Sequence, residues 1–386
     1  MALFTGALIS ASAWYLSSAF NWRQGALFLI GAFAGLVLYH AAFGFTSSWR
    51  VFISDRRGAG LRAQMLMLAV TCAVFFPLLA GGTVFGQAVR GSISPIGMGV
   101  AVGAFMFGIG MQLGGGCASG TLFSVGGGST RMLLTLFFFI MGSVIGTAHM
   151  PWWTAQPSLP ATSLVTSLGP WAGLAVSLLL FGAIAWVTTV TERARHGRLL
   201  DDARPVASRN RWLTGPWPLV AGAIGLAIVN IASLTIGGRP WGVTSAFALW
   251  GAKWFDAVGI NVATWPYWTT PAQATALKTS VLADVTSVMD FGIILGALLA
   301  STLAGKFAPV WKISARSAAA AVIGGLLLGY GARIAYGCNI GAYFSGIASG
   351  SLHGWLWMVA AFAGNVAGTQ LRPLFDLNVE RTQTAC

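Results

Sequence analysis

The sequence predicts an all-α polytopic membrane protein with about ten transmembrane helices. Only 8% of its 386 residues are charged, whereas 56% are hydrophobic and the mean hydropathy is +0.75. Such a chain has too few polar side chains to cover a water-facing surface. Apolar stretches of about 20 residues, the length that crosses a bilayer as a helix, recur along its whole length. A lipid bilayer is therefore the expected environment.

The predicted spans follow one another closely from the first residue onward. No Lys or Arg precedes Arg23, so the first apolar stretch lacks the basic start of a cleavable signal peptide and is predicted to be a true span. The predicted spans cover residues 2–20, 25–43, 63–80, 93–112, 131–150, 168–190, 217–236, 281–302, 317–336 and 353–370.

The net charge of +13 is attributed to membrane topology and not to nucleic-acid binding. Basic residues concentrate in three loops, which fall on the same side of the membrane when the spans are counted in order. This positive-inside pattern predicts cytoplasmic N- and C-termini in a bacterial inner membrane. The three groups are Arg50, Arg56, Arg57 and Arg62; Arg193, Arg195, Arg198, Arg204, Arg209 and Arg211; and Lys306, Lys312 and Arg316.

A glycine-rich pattern with one cysteine occurs twice, 221 positions apart (338 − 117 = 221). Because Gly permits backbone shapes that other residues resist, the pattern predicts an irregular segment or short helix that presents a thiol. The outermost glycines of each copy are attributed to close packing of transmembrane helices. The copies are Gly108, Gly110, Gly116, Cys117, Gly120, Phe123 and Ser124, and Gly329, Gly331, Gly337, Cys338, Gly341, Phe344 and Ser345.

The two copies are predicted to have opposite orientations in the membrane. Three spans separate them, and an odd number reverses the direction of the second copy. A fainter match relates residues 44–47, which include Thr46, to residues 242–245, which include Thr244. We therefore expect two inverted five-helix repeats, residues 1–190 and 217–386, joined by a basic cytoplasmic linker, residues 191–216.

Four short broken or re-entrant segments are expected to meet near the membrane midplane, two after Gly44 and Gly242 and two carrying the cysteines. Irregular backbone at this depth is tolerated only when it is buried in protein or lines a cavity. Interruptions at corresponding positions of two halves indicate a transport site.

The pattern G-x-G-x5-G-C-x2-G-x2-F-S in duplicate resembles the YeeE/YedE family of bacterial membrane proteins, whose characterised members take up thiosulfate. The resemblance covers nearly the whole chain and is supported by residues 237–244, Gly-Gly-Arg-Pro-Trp-Gly-Val-Thr. It implies an hourglass-shaped bundle in which short helices meet at a narrow waist and cysteines handle the sulfur compound in turn. A small soluble sulfur-carrier protein on the cytoplasmic side is a partner that the resemblance suggests.

By position, Cys117 and Cys338 take the role of the pore cysteines. A third pore cysteine, which family members can use, is missing from residues 44–50 and 242–250, and Cys72 cannot be matched to it. Neutral thiols suit a small dianion, since an S–H group is a weak donor that does not repel it. The other residues expected on the substrate pathway are Gly116, Gly337, Gly120, Gly341, Ser124, Ser345, Arg333, Gln112, Thr46 and Thr244.

Arg333 occupies the repeat position of Gln112 (112 + 221 = 333). An arginine inside the membrane suggests contact with an anionic substrate, and the alternatives are a structural partner for Asp290 or a side chain that reaches the interface. For Asp290, proton coupling is one reading, and pairing with Arg333 or a backbone donor is the preferred one. His40 and His353 are expected to be satisfied interfacial histidines.

Two other functions stay open at this point. One is a membrane sulfurtransferase that carries persulfides, although neither cysteine segment contains the His, Lys, Asp or Glu that would activate a thiol. The other is a transporter of sulfide, polysulfide or a selenium compound, since all of these place a soft atom beside a thiol. No metal site or cofactor is indicated, because neither CxxC nor Cys/His ligand spacing occurs.

Overall fold

The structure is a computed structural model that describes residues 1–199 and 210–379. Arg204 and Arg209 of the predicted basic loop lie outside the described residues, as do residues 200–209 of the expected linker and residues 380–386 of the expected second repeat.

The described residues form helices almost throughout, with four very short strands. The strands are β1 (Thr83–Val84), β2 (Gln87–Ala88), β3 (Ile96–Gly97) and β4 (Ser158–Leu159). The α-helices are α1 (Ala2–Ala19), α2 (Trp22–Ala41), α3 (Phe45–Asp55), α4 (Ala59–Gly81), α5 (Met98–Gly114), α6 (Ala118–Gly126), α7 (Thr130–Thr154), α8 (Leu164–Leu168), α9 (Pro170–His196), α10 (Arg211–Thr214), α11 (Leu219–Gly237), α12 (Thr244–Ala257), α13 (Pro271–Lys278), α14 (Val285–Leu303), α15 (Ala315–Ile334), α16 (Ser345–Ala348) and α17 (Leu352–Leu371).

The all-α polytopic membrane fold is confirmed. Ten helices within the described residues have 17 or more residues, and each coincides with one predicted span to within a few residues at its ends. Within the part of the chain that the structure describes, eight segments are both long and apolar enough to cross a membrane. The long helices that fall outside these eight are α1 and α17, and α17 includes the buried polar residues His353 and Asn365.

Short helices occur at the four places where the sequence predicts interrupted segments. Helices α3, α6 and α12 have 11, 9 and 14 residues and follow α2, α5 and α11. The fourth segment follows α15 and consists of a π-helical turn, Asn339–Phe344, that continues into α16. Each half of the chain therefore contains two long helices that are followed by a short one.

The long helices of the two halves pack in a reciprocal pattern. Helix α5 lies against α17, and α15 lies against α7, while α5 and α15 also contact each other. In the same way, α14 packs on α2 and α6, whereas α4 packs on α11 and α16. The helices correspond in pairs: α2 to α11, α4 to α14, α5 to α15, α6 to α16 and α7 to α17. When each helix is replaced by its counterpart, every one of these contacts becomes another contact of the same set.

The outermost glycines of the repeated pattern lie at these helix contacts, as predicted. A Cβ atom at Gly108 would lie 2.2 Å from the carbonyl oxygen of Ala361 on α17. A Cβ atom at the equivalent Gly329 would lie 2.2 Å from the carbonyl oxygen of Phe139 on α7. Neither distance allows a side chain, so glycine lets these helices approach closely.

Candidate functional site

Each repeated cysteine immediately precedes a short helix. Cys117 is the N-cap residue of α6, and Cys338 is the N-cap residue of the π-helical turn. The chain leaves α5 through Gly115, whose φ is +93°, and leaves α15 through Gly337, whose φ is +150°. Glycine adopts these angles readily, which allows a long helix to end and a short one to begin in a new direction.

The glycines beside the cysteines allow the chain to fold back on itself. A Cβ atom at Gly116 would lie 3.1 Å from the backbone of Gly120, and one at Gly337 would lie 2.7 Å from the backbone nitrogen of Ala342. A Cβ atom at Gly341 would meet no atom within 4 Å. Glycine is thus required for close packing before each cysteine, while Gly341 borders open space.

The two thiols are buried and lie near each other. Cys117 is 2% exposed and Cys338 is 0% exposed. Sγ of Cys117 lies 3.4 Å from Oγ of Ser119, and Sγ of Cys338 accepts a hydrogen bond from the backbone N–H of Ile340 at 3.4 Å. Helix α6 contacts the π-helical turn, and the thiols are close enough to interact electrostatically. The structure therefore brings the two repeated cysteines to one place.

Aromatic side chains pack tightly around the Cys338 segment. Tyr343 of the π-helical turn stacks on Trp357, with ring centroids 6.2 Å apart, and Trp49 meets Tyr343 edge to face at 5.8 Å. The indole N–H of Trp357 donates to the carbonyl oxygen of Gly337 at 3.2 Å. Large rings contributed by α3 and α17 thus hold the segment between them.

Gln112 connects three helices beside the Cys117 segment. Its side-chain oxygen accepts from Nη1 of Arg50 at 3.3 Å, and its nitrogen donates to the carbonyl oxygen of Thr46 at 3.3 Å and to the side-chain oxygen of Asn365. The guanidinium of Arg372 donates to the Gln112 carbonyl at 2.6 Å. Gln112 and Thr46 are therefore brought together, and two buried arginines accompany them.

The two serines of the repeat lie in different surroundings. Ser345 is fully buried, donates to the carbonyl oxygen of Trp241 at 2.7 Å, and accepts from the amide of Asn230 at 3.2 Å. Ser124 is half-buried in α6. Thr244, at the first position of α12, is buried like its counterpart Thr46.

Asp290 has no hydrogen-bond partner among the described residues, so its predicted pairing with Arg333 or with a backbone donor is wrong. Nη1 of Arg333 donates to the hydroxyl of Tyr267 at 3.1 Å, and its guanidinium lies 5.2 Å from the centre of that ring. Tyr267 belongs to the segment between α12 and α13, and no sequence pattern predicts its contact with Arg333. Arg333 thus makes a structural contact away from Asp290.

Several buried polar atoms near the cysteine segments have no hydrogen-bond partner within residues 1–199 and 210–379. Buried polar groups in folded proteins are nearly always paired, so unpaired groups at one place are available to a polar ligand. Nε2 of both His40 and His353 is also unpaired, which contradicts the expectation of satisfied interfacial histidines. The unpaired groups near the cysteine segments are Oγ1 of Thr46, Nε2 of Gln64, Nε1 of Trp241, both carboxylate oxygens of Asp290 and both side-chain polar atoms of Asn339.

Cys72 is a third buried thiol near this region. It lies on α4, is 0% exposed, and its Sγ is 3.8 Å from the carbonyl oxygen of Ile347 in α16. This weak contact places it against the end of the Cys338 segment. Cys72 lies outside the repeated pattern of glycines that surrounds Cys117 and Cys338, which we call the glycine frame.

Several of these residues have sequence features that indicate a role but are absent from the predicted substrate pathway. Arg50 belongs to a predicted basic loop, where its charge is attributed to topology, but the structure places it in α3, only 9% exposed. Asn230, Asn339 and Asn365 are polar residues within or beside apolar spans, a pattern that indicates function or internal pairing. Gln64 accepts from the indole of Trp49 at 2.9 Å, a contact that no local pattern predicts.

Comparison with known proteins shows the family of this chain. A protein family described as Sulphur transport matches residues 40–367. The thiosulfate transporter TsuA of Spirochaeta thermophila is 26% identical over 358 residues, covering 87% of this chain and 95% of that protein. TsuA of Escherichia coli K12 is 25% identical over the same share of the chain and 91% of its own length.

A further relative matches over a shorter region. The protein named "Probable transporter YedE" of Escherichia coli K12 is 30% identical over 174 residues, which is 45% of this chain. The chain spans 42% of the length of that relative. The family match covers well over half of the chain and includes both cysteine segments. The chain therefore belongs to the sulphur-transport family that includes YeeE and YedE.

Proposed function

We propose that this protein takes up thiosulfate, or a closely related sulfur anion, across the bacterial inner membrane. The observation that carries the proposal is the pair of buried thiols, Cys117 and Cys338, which precede two short helices in contact with each other. The similarity to thiosulfate transporters over 87% of the chain supports this substrate class.

In this proposal the anion passes between weak donors and is never held tightly. Thiols in an apolar interior stay protonated, so each offers an S–H group without a charge that would repel the anion. Backbone N–H groups in the first turns of α3, α6 and α12 are further donors for the oxygens, since helix N-termini favour anions. Weak contacts in succession allow release as well as entry.

The two halves are proposed to be inverted repeats with cytoplasmic termini. The reciprocal packing of α5 on α17 and α15 on α7 supports this, as does the placement of both cysteines before short helices. In this orientation the Cys338 segment is entered from outside and the Cys117 segment from the cytoplasm. The open space beside Gly341 then lies on the outer side of Cys338.

Uptake of a dianion is opposed by the membrane potential. Moving two negative charges into a negative interior is unfavourable by about 4.6 kcal/mol per 100 mV, at about 2.3 kcal/mol for each charge. A pathway of uncharged groups lowers the energy barrier to movement of the anion. It cannot raise the concentration of the anion inside above that outside. A second driving force is needed for uptake from dilute solution.

A soluble sulfur-carrier protein is proposed to receive the anion on the cytoplasmic side. The basic end of α9 includes Arg193 and Arg195, both exposed, and offers a surface for an acidic partner. Reversing both charges, as Arg193→Glu with Arg195→Glu, should weaken coprecipitation of such a carrier without affecting uptake into liposomes that lack it. Unchanged coprecipitation would exclude this surface.

Uptake of labelled thiosulfate into proteoliposomes tests the proposed function, with sulfate and selenite as competitors. We expect thiosulfate-selective uptake that is lost in Cys117→Ala and in Cys338→Ala. Cys72→Ala is the matched control, because Cys72 is equally buried but lies outside the glycine frame. Normal uptake by either of the first two variants at normal expression would overturn the role of the thiols.

Mass spectrometry after exposure to thiosulfate separates transport from sulfur transfer. Passage by weak contacts leaves both thiols unmodified. A stable persulfide on Cys117 or Cys338 would instead support a sulfurtransferase.

A further inference from the structure

Asp290 is a buried acid that the proposed pathway does not yet use. It is the sixth residue of α14, is 0% exposed, and neither carboxylate oxygen has a hydrogen-bond partner among the described residues. An ionised carboxylate without a partner is strongly unfavourable in an apolar interior. An uncharged Asp290 carboxyl is therefore favoured, and its O–H group has no acceptor among the described residues.

The position of Asp290 on α14 places it beside both cysteine segments. Asp290, Ile294 and Ala297 share one face of the helix, since residues four and seven positions apart align. At this face, a Cβ atom on Gly126 of α6 would lie 2.2 Å from the Ile294 carbonyl and 2.9 Å from Cβ of Ala297. Asp290 is also close enough to Cys338 to interact with it electrostatically. The acid thus lies on the face of α14 that packs against α6.

The elements packed against α14 provide few charges that could pair with Asp290. Helix α6 has no ionisable side chain. On α14 itself, the Asp284 carboxylate accepts from Ser287 and lies 3.9 Å from Arg239. On α12, Lys253 donates to the carbonyls of Leu277 and Thr279. The other ionisable groups on these elements are Arg23, Tyr39 and His40 on α2, Tyr15 on α1, Asp256 on α12, Arg211 on α10, Lys306 after α14, and the thiols of Cys117 and Cys338.

We infer that uptake is coupled to protons and that Asp290 carries the proton. This rests on the proposed uptake of a sulfur anion. The protonated carboxyl donates a hydrogen bond to the anion beside Cys338. As the anion moves past Cys117, the carboxyl releases its proton to water on the cytoplasmic side. The Asp290 carboxylate then takes a proton from the outer solution. One O–H bond is broken and one is formed, and one proton crosses with each anion.

Proton coupling reduces the opposition of the membrane potential. One proton moving with a dianion halves the net charge that enters the negative interior. Asn339 lies next to Cys338, and its buried side-chain amide has no hydrogen-bond partner among the described residues. The amide provides a neutral polar group for the same anion but cannot carry a proton. Among the described residues near these segments, Asp290 combines burial, an exchangeable proton and the absence of a partner.

Proteoliposomes with and without an inward pH gradient test the coupling. With the membrane potential held at zero by valinomycin and equal K⁺ on both sides, a gradient of one pH unit should raise steady-state thiosulfate accumulation about tenfold in the wild type for one coupled proton. Asp290→Asn should remove this response. Asp284→Asn is the matched control, because it changes the other acid of α14 and should leave the gradient response intact. Equal accumulation by the wild type with and without the gradient would overturn the inference and leave thiosulfate uptake standing.

Carbodiimide labelling of the wild-type protein tests Asp290 without relying on a variant that could fail to fold. Dicyclohexylcarbodiimide enters apolar regions and modifies protonated carboxyls, so mass spectrometry should find Asp290 modified, less so as the pH rises and less so with thiosulfate present. An Asp290 that stays unmodified at every pH would overturn the inference. If no thiosulfate enters at all, the proposed substrate fails, while pH-dependent modification of Asp290 would support proton coupling to a different anion.

Discussion

The indole N–H of Trp357 and the carbonyl of Gly337 form a 3.2 Å hydrogen bond that links α17 to the residue before Cys338. Trp357 is fully buried and stacks on Tyr343, so both its ring and its donor support the same segment. This contact fixes the backbone that presents the second thiol.

Replacing Trp357 by Phe should keep most of the ring and remove the donor. A buried carbonyl left without its partner should reduce stability by about 1–2 kcal/mol, and uptake should fall because the Cys338 segment is less well held. Thermal unfolding in detergent and uptake into liposomes measure the two effects. Trp355→Phe is the control, since the Trp355 indole N–H has no partner within the described residues. Equal effects of both substitutions would contradict a role for the hydrogen bond.

Gly337→Ala should disrupt the Cys338 segment. Its φ of +150° disfavours a side chain, and the added Cβ would lie 2.7 Å from the Ala342 nitrogen. We expect a loss of at least about 2 kcal/mol in stability, or failure to fold. Gly341→Ala, four residues later, adds the same methyl group to open space and should fold normally. Similar thermal stabilities for the two variants would show that the backbone is not as tightly packed as described.

Glu192→Gln should destabilise the connection between α9 and the start of α4. The Glu192 carboxylate is fully buried, lies 2.8 Å from Arg62 and 3.3 Å from Arg57, and accepts from the backbone N–H of Gly58. Removing its charge leaves two guanidinium groups without their counter-ion, which should reduce stability by about 3 kcal/mol.

The matched control for Glu192→Gln is Asp376→Asn. It breaks the pair between Arg316 and Asp376, whose side chains are 67% and 58% exposed. Exposed pairs contribute less than about 1 kcal/mol, so little change is expected in thermal unfolding. A smaller effect at Glu192 than at Asp376 would argue against the buried ion pair.

The orientation of the chain can be tested with an impermeant maleimide. Leu159 and Trp311 are 64% and 77% exposed and lie in loops that the charge pattern assigns to opposite sides. Leu159→Cys should be labelled in intact spheroplasts, and Trp311→Cys only after permeabilisation. The wild-type protein controls for the native thiols. Labelling of both variants in intact spheroplasts would contradict the assigned topology.

The long helices and the cysteine segments could be predicted because their signals are local. Ten apolar runs correspond to the ten long helices, and the glycine frame around Cys117 and Cys338 indicated where the helices are interrupted. These features depend on residues close together in the sequence.

The contacts between distant segments could not be predicted in this way. Gln112 bonds to Arg50 and Asn365, which are 62 and 253 positions away. Arg333 meets Tyr267 across 66 positions, where the sequence pattern had suggested Asp290. Single polar residues indicate that a partner is needed, but packing of whole helices determines which partner is near.

The π-helical turn after Cys338 makes the two halves chemically unequal. A π turn closes its hydrogen bonds over five residues instead of four, so side chains that follow it point in other directions than in an α-helix. Ser124 and Ser345 both stand seven residues after their cysteine, yet one is half-buried and the other is enclosed by Asn230 and Trp241. A duplicated sequence has thus given a polarised structure, in which entry and exit need not obey the same selectivity.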